Sequence, residues 1–414
     1  VSEGQRGGAV THSTAEYLAA YRGIGHEKSV TFEADYAAQN FEDVKALAVQ
    51  QALENVMISE EIIILGGNTS LALNTTPTPT VTNSGTGGTI AAATYNVIAV
   101  ALCVQAYWDL AGLNNGGVGS AFDPTTAVLN GTITRTNADG TTDTINMGVA
   151  KKSNAGSTTT SGSTSTISAS VTAVTGAFGY AWYLGTAGNE VLAALTTINS
   201  VLFTALPNGA NQNASTLPSG DKSQNSLEFD GLLTIASKGL GSYVKALATG
   251  TPGTGTTLTA GSGRIVEIDD ALASFYALYR LQPTTIYFNY KQFQKVTNLV
   301  LGSTNPNVYF TVNVNDPATA IAGRNVGKYV SPITGEIIDL VVHPNMPPGT
   351  IFFDTDRVPA YLDGVQDIKR IRTRREYYQI EWPLRTRKYE YGVYADEVLQ
   401  HFFPPCMGYI TNVA

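Results

Sequence analysis

The stretch EEIIILGGNTSLALNTTPTPTVT, residues 60–82, holds two chemistries side by side. Its first part ends a segment that carries charge every few positions and reads as helix. Its second part is rich in Thr and Pro, with almost no charge. Where the chain changes character, and where the first character returns, decides the architecture.

Backward from this stretch, apolar residues recur at three- and four-residue steps: Phe41, Val44, Ala48, Leu53, Val56, Met57, Ile63 and Ile64. Glu42, Asp43, Lys45, Glu54 and Glu60 fall mostly between them, the pattern of an amphipathic helix. Asn40 is the expected cap, and Glu42 and Asp43 suit the first turn, where the helix dipole favours anions. Gly66-Gly67 is the expected stop. The spacing predicts one helix of about 24 residues, about 36 Å long. Before it, SVTFEA (29–34) reads as a strand.

Forward from this stretch, Arg135, Lys151, Lys152 and Lys222 are the basic residues between Asn74 and Ser226. Strand-like runs lie at 94–104, 126–136, 142–150, 165–171, 176–185 and 196–206, separated by turn residues. NADG (137–140) between TITRT and TTDTI predicts a hairpin. Several short strands with Gly-rich turns predict an all-β sandwich.

After Ser226 the first chemistry returns. SLEFDGLL (226–233) is charged and apolar again. IVEIDDALASFYALYRLQ (265–282) predicts a helix ended by Pro283, TTIYFN (284–289) a buried strand, and YKQFQKVTNLVLG (290–302) a helix closed by Gly302. NVGKYVSPITGEIIDL, from Asn325, predicts a hairpin, and VVHPNMPPGTIFFDTD (341–356) a strand, a proline turn and a strand. The tail from Arg370 to Phe403 predicts long strands, then a short helix near ADEVLQHF (395–402). The fold class is α+β with an all-β insertion: the chain leaves one domain near Leu73 and rejoins it near Leu227. The expected units are 1–35, 36–73, 74–226, 227–340 and 341–414.

Composition narrows the function. Charged residues make up 14% of the 414, against about a quarter in an average soluble chain, and the deficit sits in the middle segment. The net charge is −8 and the pI about 5.1, so a free protein that grips nucleic acid is disfavoured. Cys103 and Cys406 read as two buried thiols made in a reducing compartment, not a disulfide framework. No apolar run fits a membrane span, and VSEGQRGGAV has no signal-peptide core.

Motifs for catalysis are missing. His12, His26, His343 and His401 are scattered without ligand spacing, so neither a metal nor a cofactor is expected. His343, before Pro344, reads as solvated, and GTPGTGTT (250–257) as a mobile loop. NADGTTD (137–143) has the alternating oxygens of a calcium loop, but the hairpin accounts for the same residues. Glu267, Asp269 and Asp270 start a helix, where acids are ordinary, and do not argue for a glycosidase.

One charge cluster stands out: Lys369, Arg370, Arg372, Arg374, Arg375, Arg385, Arg387 and Lys388, with Tyr377, Tyr378, Trp382 and Tyr389 interleaved. It reads either as a solvated strand face with snorkelling side chains or as an interface. Arginine predominance in an acidic protein favours the interface.

YRGIGHEKSVTFEADYAAQNFEDVKALAVQQALENVMISEEIIILGG, then SLALN, then LEFDGLL, resembles the tailed-phage major capsid proteins, whose architecture is known after phage Hong Kong ninety-seven. IVEIDDALASFYALYRLQPTTIYFNYKQFQKVTNLVLG resembles the family's next helix–strand–helix unit, and VGKYVSPITGEIIDLVVHPNMPPGTIFFDTD its hairpin and following segment. The match covers roughly 260 residues, all but the 74–226 segment, which resembles an immunoglobulin- or fibronectin-III-like domain. The resemblance implies a spine helix, an axial domain (227–340) and a peripheral domain, in a non-enzymatic subunit that tiles an icosahedral shell as pentamers and hexamers. It further implies a dsDNA cargo, portal and decoration proteins as partners, and assembly in the host cytoplasm into a virion. The insert is expected to project outward and touch host-surface glycans. The family has an arm and two loop strands before its spine helix, whereas about 39 residues precede it here, so that arm is expected to be cleaved or to lie outside this sequence. Glu27, Glu33 and Asp35 are the acids expected to meet the arginine cluster of a neighbour. The rival expectation is a bacterial surface adhesin or surface-layer protein.

Overall fold

A computed structural model describes residues 3–4, 6–8, 17–111, 122–137, 139–261, 263–301, 326–359 and 367–414. The expectations that fall on His12, Gly302 and Asn325 lie outside these residues.

The chain opens with strand β1 (Arg22–Thr31), a short helix α1 (Phe32–Ala37) and the long helix α2 (Val44–Gly66). The expected strand SVTFEA splits at Thr31, whose hydroxyl accepts the Ala34 N–H at 3.2 Å and caps α1. Asn40 does not cap α2. It takes a left-handed φ of 71°, tolerable for Asn. The cap is Asp43, whose carboxylate accepts the Lys45 and Ala46 N–H groups at 3.1 Å each. The helix therefore starts later than its apolar pattern suggests, and Phe41, expected in the core, is 92% exposed. α2 buries Ala48, Ala52 and Val56 at four-residue steps and ends where Gly67 donates to the Ile63 carbonyl at 2.8 Å.

The middle segment holds β2 (Thr80–Ser84), β3 (Thr94–Leu102), α3 (Val104–Ala111), β4 (Thr132–Thr136), β5 (Thr142–Asn146), β6 (Gly156–Thr159), β7 (Thr166–Ser170), β8 (Gly179–Gly185), β9 (Val191–Thr196) and β10 (Ser200–Phe203). Two antiparallel sheets, β10-β7-β2 and β6-β3-β8-β9, close on one core that includes Val97, Leu102, Ile167, Trp182 and Phe203. β4 and β5 form a separate hairpin across 137–141, as NADG predicts. The helix α3 is unexpected. Its Val104 and Trp108, with Phe178, pack into a second core with Val56, Phe229 and Leu233, and the Trp108 indole donates to the Asn345 carbonyl at 2.9 Å.

The last segment holds α4 (Leu232–Ser237), β11 (Tyr243–Ala246), β12 (Ala260–Gly261), β13 (Arg264–Ile265), α5 (Val266–Tyr279), β14 (Thr285–Phe288), α6 (Tyr290–Leu301), β15 (Lys328–Val330), β16 (Ile337–Val342), β17 (Ile351–Asp354), β18 (Lys369–Glu381), β19 (Lys388–His401) and β20 (Met407–Thr411). A mixed six-stranded sheet, β11-β20-β17-β14-β16-β15, carries a third core against α5 and α6 through Ile268, Leu272, Phe275 and Val296. ADEVLQHF is strand, not helix: up to His401 it lies in β19, paired with β18 and, as far as Glu397, also with β1, and ladder pairing overrides its helical spacing. GTPGTGTT is packed, not free: the Gly253 N–H donates to Ser200 Oγ at 3.0 Å and Thr256 bridges to Val413. Among the described residues no helix is long and apolar enough to cross a membrane.

The departing and returning chains are stitched together. The Asn68 amide donates to the Ser223 carbonyl at 2.9 Å, the Leu73 N–H to Ser223 Oγ at 2.9 Å and the Asn74 N–H to Asp221 at 2.7 Å. Thr69 and Ser70 donate to Asp230, and Gly231 to the Gly67 carbonyl at 2.8 Å. A Cβ on Gly231 would stand 2.7 Å from the Gly66 nitrogen, so the close approach requires glycine. Glu228 lies in this seam, and burial pushes its carboxyl up to about 7, against the donors Asn68 and Asn225.

Candidate functional site

The arginine cluster lies on a three-stranded antiparallel sheet, β1-β19-β18. Side chains alternate between faces along each strand. Ile24 and Val393 point to the α2 side and join the core there. Gly25, Glu27, Glu390, Gly392, Tyr394 and Asp396 fall on the opposite, outer face by register. β18 pairs only with β19 among the described strands, so its other edge is open, and it is exposed over most of its 13 residues.

Two register shifts in β18, between Thr373 and Arg375 and between Arg375 and Tyr378, let successive arginines reach the outer face. Arg370 and Arg372 donate to the Gln400 side-chain oxygen at 3.1 and 2.9 Å. Arg374 donates to Asp396 at 2.8 Å. The Arg375 guanidinium lies 3.7 Å above the Tyr378 ring, which stacks on Tyr394 at 5.8 Å. Among the described residues Arg372, Arg375 and Arg385 form no salt bridge.

Several expected site residues are engaged within their own chain. Lys369 is not a surface cation: its side chain is 8% exposed and its amine pairs with Asp354, and with Asp356 at 3.3 Å. Lys388 pairs with Glu390 at 2.6 Å. The three acids expected to meet a neighbour also have partners here: Glu33 takes Arg387 at 3.0 Å, Asp35 takes Lys45 at 2.8 Å, and Glu27 accepts the Tyr394 hydroxyl.

At the turn end of the sheet, the outer face and the β4–β5 hairpin enclose a cleft of about 380 Å³. Arg135, Asn137 and Asp139 come from the hairpin; Glu27, Trp382, Arg385, Glu390 and Tyr394 come from the sheet. The Tyr394 ring lies across Gly25 and Gly392, where a Cβ would run into it. Burial and the Glu27 carboxylate raise the pKa of that hydroxyl, against the Trp382 indole. Asp139 accepts the Thr141 N–H at 2.8 Å and the Thr141 hydroxyl at 2.6 Å. These bonds account for the oxygens that could be read as a calcium loop, and no described cluster of three or more His, Cys, Asp or Glu is placed to hold a metal.

One turn of α2 takes contacts from this sheet and from His343, which follows β16. His26 bonds to Ser59 at 2.8 Å, the Tyr377 hydroxyl donates to Glu60, and His343 Nε2 lies 3.1 Å from Glu61. His343 is thus held against α2, not solvated. Glu397, 2% exposed, has a carboxyl raised to about 7 by burial first and by the nearby Glu60 second.

No protein-family model matches this chain, and no curated protein matches it. Among solved structures, it is similar to the SrpI encapsulin of Synechococcus elongatus (11% identity, TM-score 0.27, 44% of this chain and 56% of that one). It is also similar to the procapsid of satellite phage P4 (9%, TM-score 0.28, 47% and 53%) and to a virus-like particle from Pyrococcus furiosus (9%, TM-score 0.23, 47% and 68%). This chain spans little more than half the length of the first two.

Proposed function

We propose that this chain is a structural shell subunit, a tailed-phage-type major capsid protein that self-assembles as pentamers and hexamers around dsDNA. The observation that carries the reading is the open, exposed edge strand β18 with its guanidiniums on one face. Proteins normally cover or blunt a long edge, because its free N–H and C=O groups template pairing. Here nothing in the described chain covers it, and two of its arginines, Arg372 and Arg375, form no salt bridge among the described residues, whereas Arg374 pairs with Asp396 and Arg370 with Asp367. Repeated copies would supply the missing contacts around symmetry axes. The order of sequence segments that resembles the phage capsid family supports the same reading. In this reading the immunoglobulin-like 74–226 unit faces outward, where it meets decoration proteins or host glycans, and a portal protein takes one shell vertex. Negative-stain electron microscopy should find icosahedral particles of the wild-type chain. Arg372→Glu with Arg375→Glu should leave unassembled subunits with an unchanged unfolding midpoint; normal particles from that variant would sink the proposal.

A further inference from the structure

The turn before α2 presents a side-chain pair that the fold does not use. The left-handed Asn40 directs the chain outward. Phe41 stands 92% exposed, and Glu42 beside it is exposed and forms no salt bridge among the described residues. Asp43 is occupied by the cap of α2. An aromatic ring and a free carboxylate thus project together.

The cleft between the β4–β5 hairpin and the outer face offers the complement. Its carboxylates are engaged: Glu27 by Tyr394, Glu390 by Lys388, and Asp139 by Thr141 and, electrostatically, by Arg385. Arg135 and Arg385 form no salt bridge among the described residues, and Trp382 and Tyr394 supply ring surface. Two guanidiniums without a salt bridge, beside the rings of Trp382 and Tyr394, fit a carboxylate carried next to a ring. A cleft of about 380 Å³ takes a benzyl group and a short acidic side chain.

Position decides who fills it. The turn sits at the N-terminus of α2, on the inner side, where Lys45 lies 3.9 Å over Tyr389. The cleft is on the outer face. Among the described residues no hydrogen bond or ion pair joins the turn to the cleft within one chain, and a second copy can bring the two together. We propose that the Phe41–Glu42 pair of one copy docks in the Arg135–Arg385 cleft of the next. The contact is head-to-tail, and repetition of such a contact closes a ring when the rotation allows. This inference rests on the shell reading and names one contact within it.

The test uses the full chain in assembled particles. Cys103 and Cys406 are buried, so Glu42→Cys with Arg385→Cys isolates the new pair. Mild oxidation should give a ladder of linked subunits on a non-reducing gel. Particles that form without the ladder would overturn the docking and leave the shell reading intact, whereas a wild-type chain that forms no particles would overturn both. As a second arm, Glu42→Arg should abolish the particle fraction, and adding Arg385→Glu should restore it. Normal assembly of the single variant, or failure of the swap to restore it, would also overturn the docking.

Discussion

The middle segment and the β1-β19-β18 sheet solve the same problem in opposite ways. Both are built mainly of strands. In the middle segment two sheets turn their apolar faces toward each other, and Trp182, Tyr183 and Leu184 are fully buried. Its composition carries few charges because it has closed its own core and shows water a surface of Thr, Ser and Asn. The long sheet has one face on α2 and leaves the other to guanidiniums, tyrosines and an open edge. The two-sheet core of the middle segment is filled almost wholly from its own sequence, while α3 and Phe178 anchor the segment to the neighbouring core; the long sheet leaves one face uncovered. That contrast, more than the arginine count, is why the proposed interface is put on the long sheet.

The contrast can be broken at several points. The largest effect on the folded subunit should come from Trp182→Ala. The indole is fully buried and donates to Thr196 Oγ1 at 2.8 Å, so denaturant unfolding of the unassembled subunit should show a loss of about 3–5 kcal/mol. A much smaller loss would mean that the segment does not hold its own core.

A smaller effect is expected at Glu397, on the inner face of the long sheet. Its carboxyl, raised to about 7, keeps a proton that the unfolded chain gives up in the ordinary carboxylate range. Stability should therefore fall as pH rises through that window and stay lower above it. Glu228, raised to about 7 as well, acts over the same window. Glu397→Gln should remove part of the slope: a gain over wild type at about pH 8 and none at about pH 4, read from unfolding curves at both. Equal pH profiles would show that the inner face does not strain the helix contact.

The smallest effect belongs to the exposed pair Arg387–Glu33, with side chains 79% and 66% exposed. Glu33→Ala should change subunit stability by less than about 1 kcal/mol. A larger loss, measured in the same way, would mean that surface charges do hold the long sheet together and would blur the comparison.

Much of this was legible in the sequence. The change of composition after Gly67 marks where the strand-rich segment begins, and NADG marks the hairpin because a tight turn needs those residues. The long helix is legible from its apolar spacing, but its start is not: Asn40 and Asp43 both suit a cap, and only the backbone shows which one is left-handed. The helix α3 was hidden because Val104 continues the apolar run of β3, and periodicity alone does not divide such a run. ADEVLQHF misled because its spacing is local while its partners, β1 and β18, are distant. The arginine cluster was visible as composition. The cleft was not, because Arg135 and Arg385 are 250 positions apart, and the one available hint was the pair of small residues, Gly25 and Gly392, flanking an aromatic in the folded sheet.

The seam at Gly67 and Gly231 has a consequence for how fast the chain can fold. β1 must find β19 across 375 residues, from Arg22 to Glu397. When Asn68 meets Glu228, a detour of 160 residues is tied off, and the search runs over roughly 215. Loop-closure entropy grows only with the logarithm of length, so the saving is about 0.5 kcal/mol. The same slow growth means that lengthening or shortening the excursion beyond the seam would hardly change the rate at which the outer strands meet, provided the seam itself still closes.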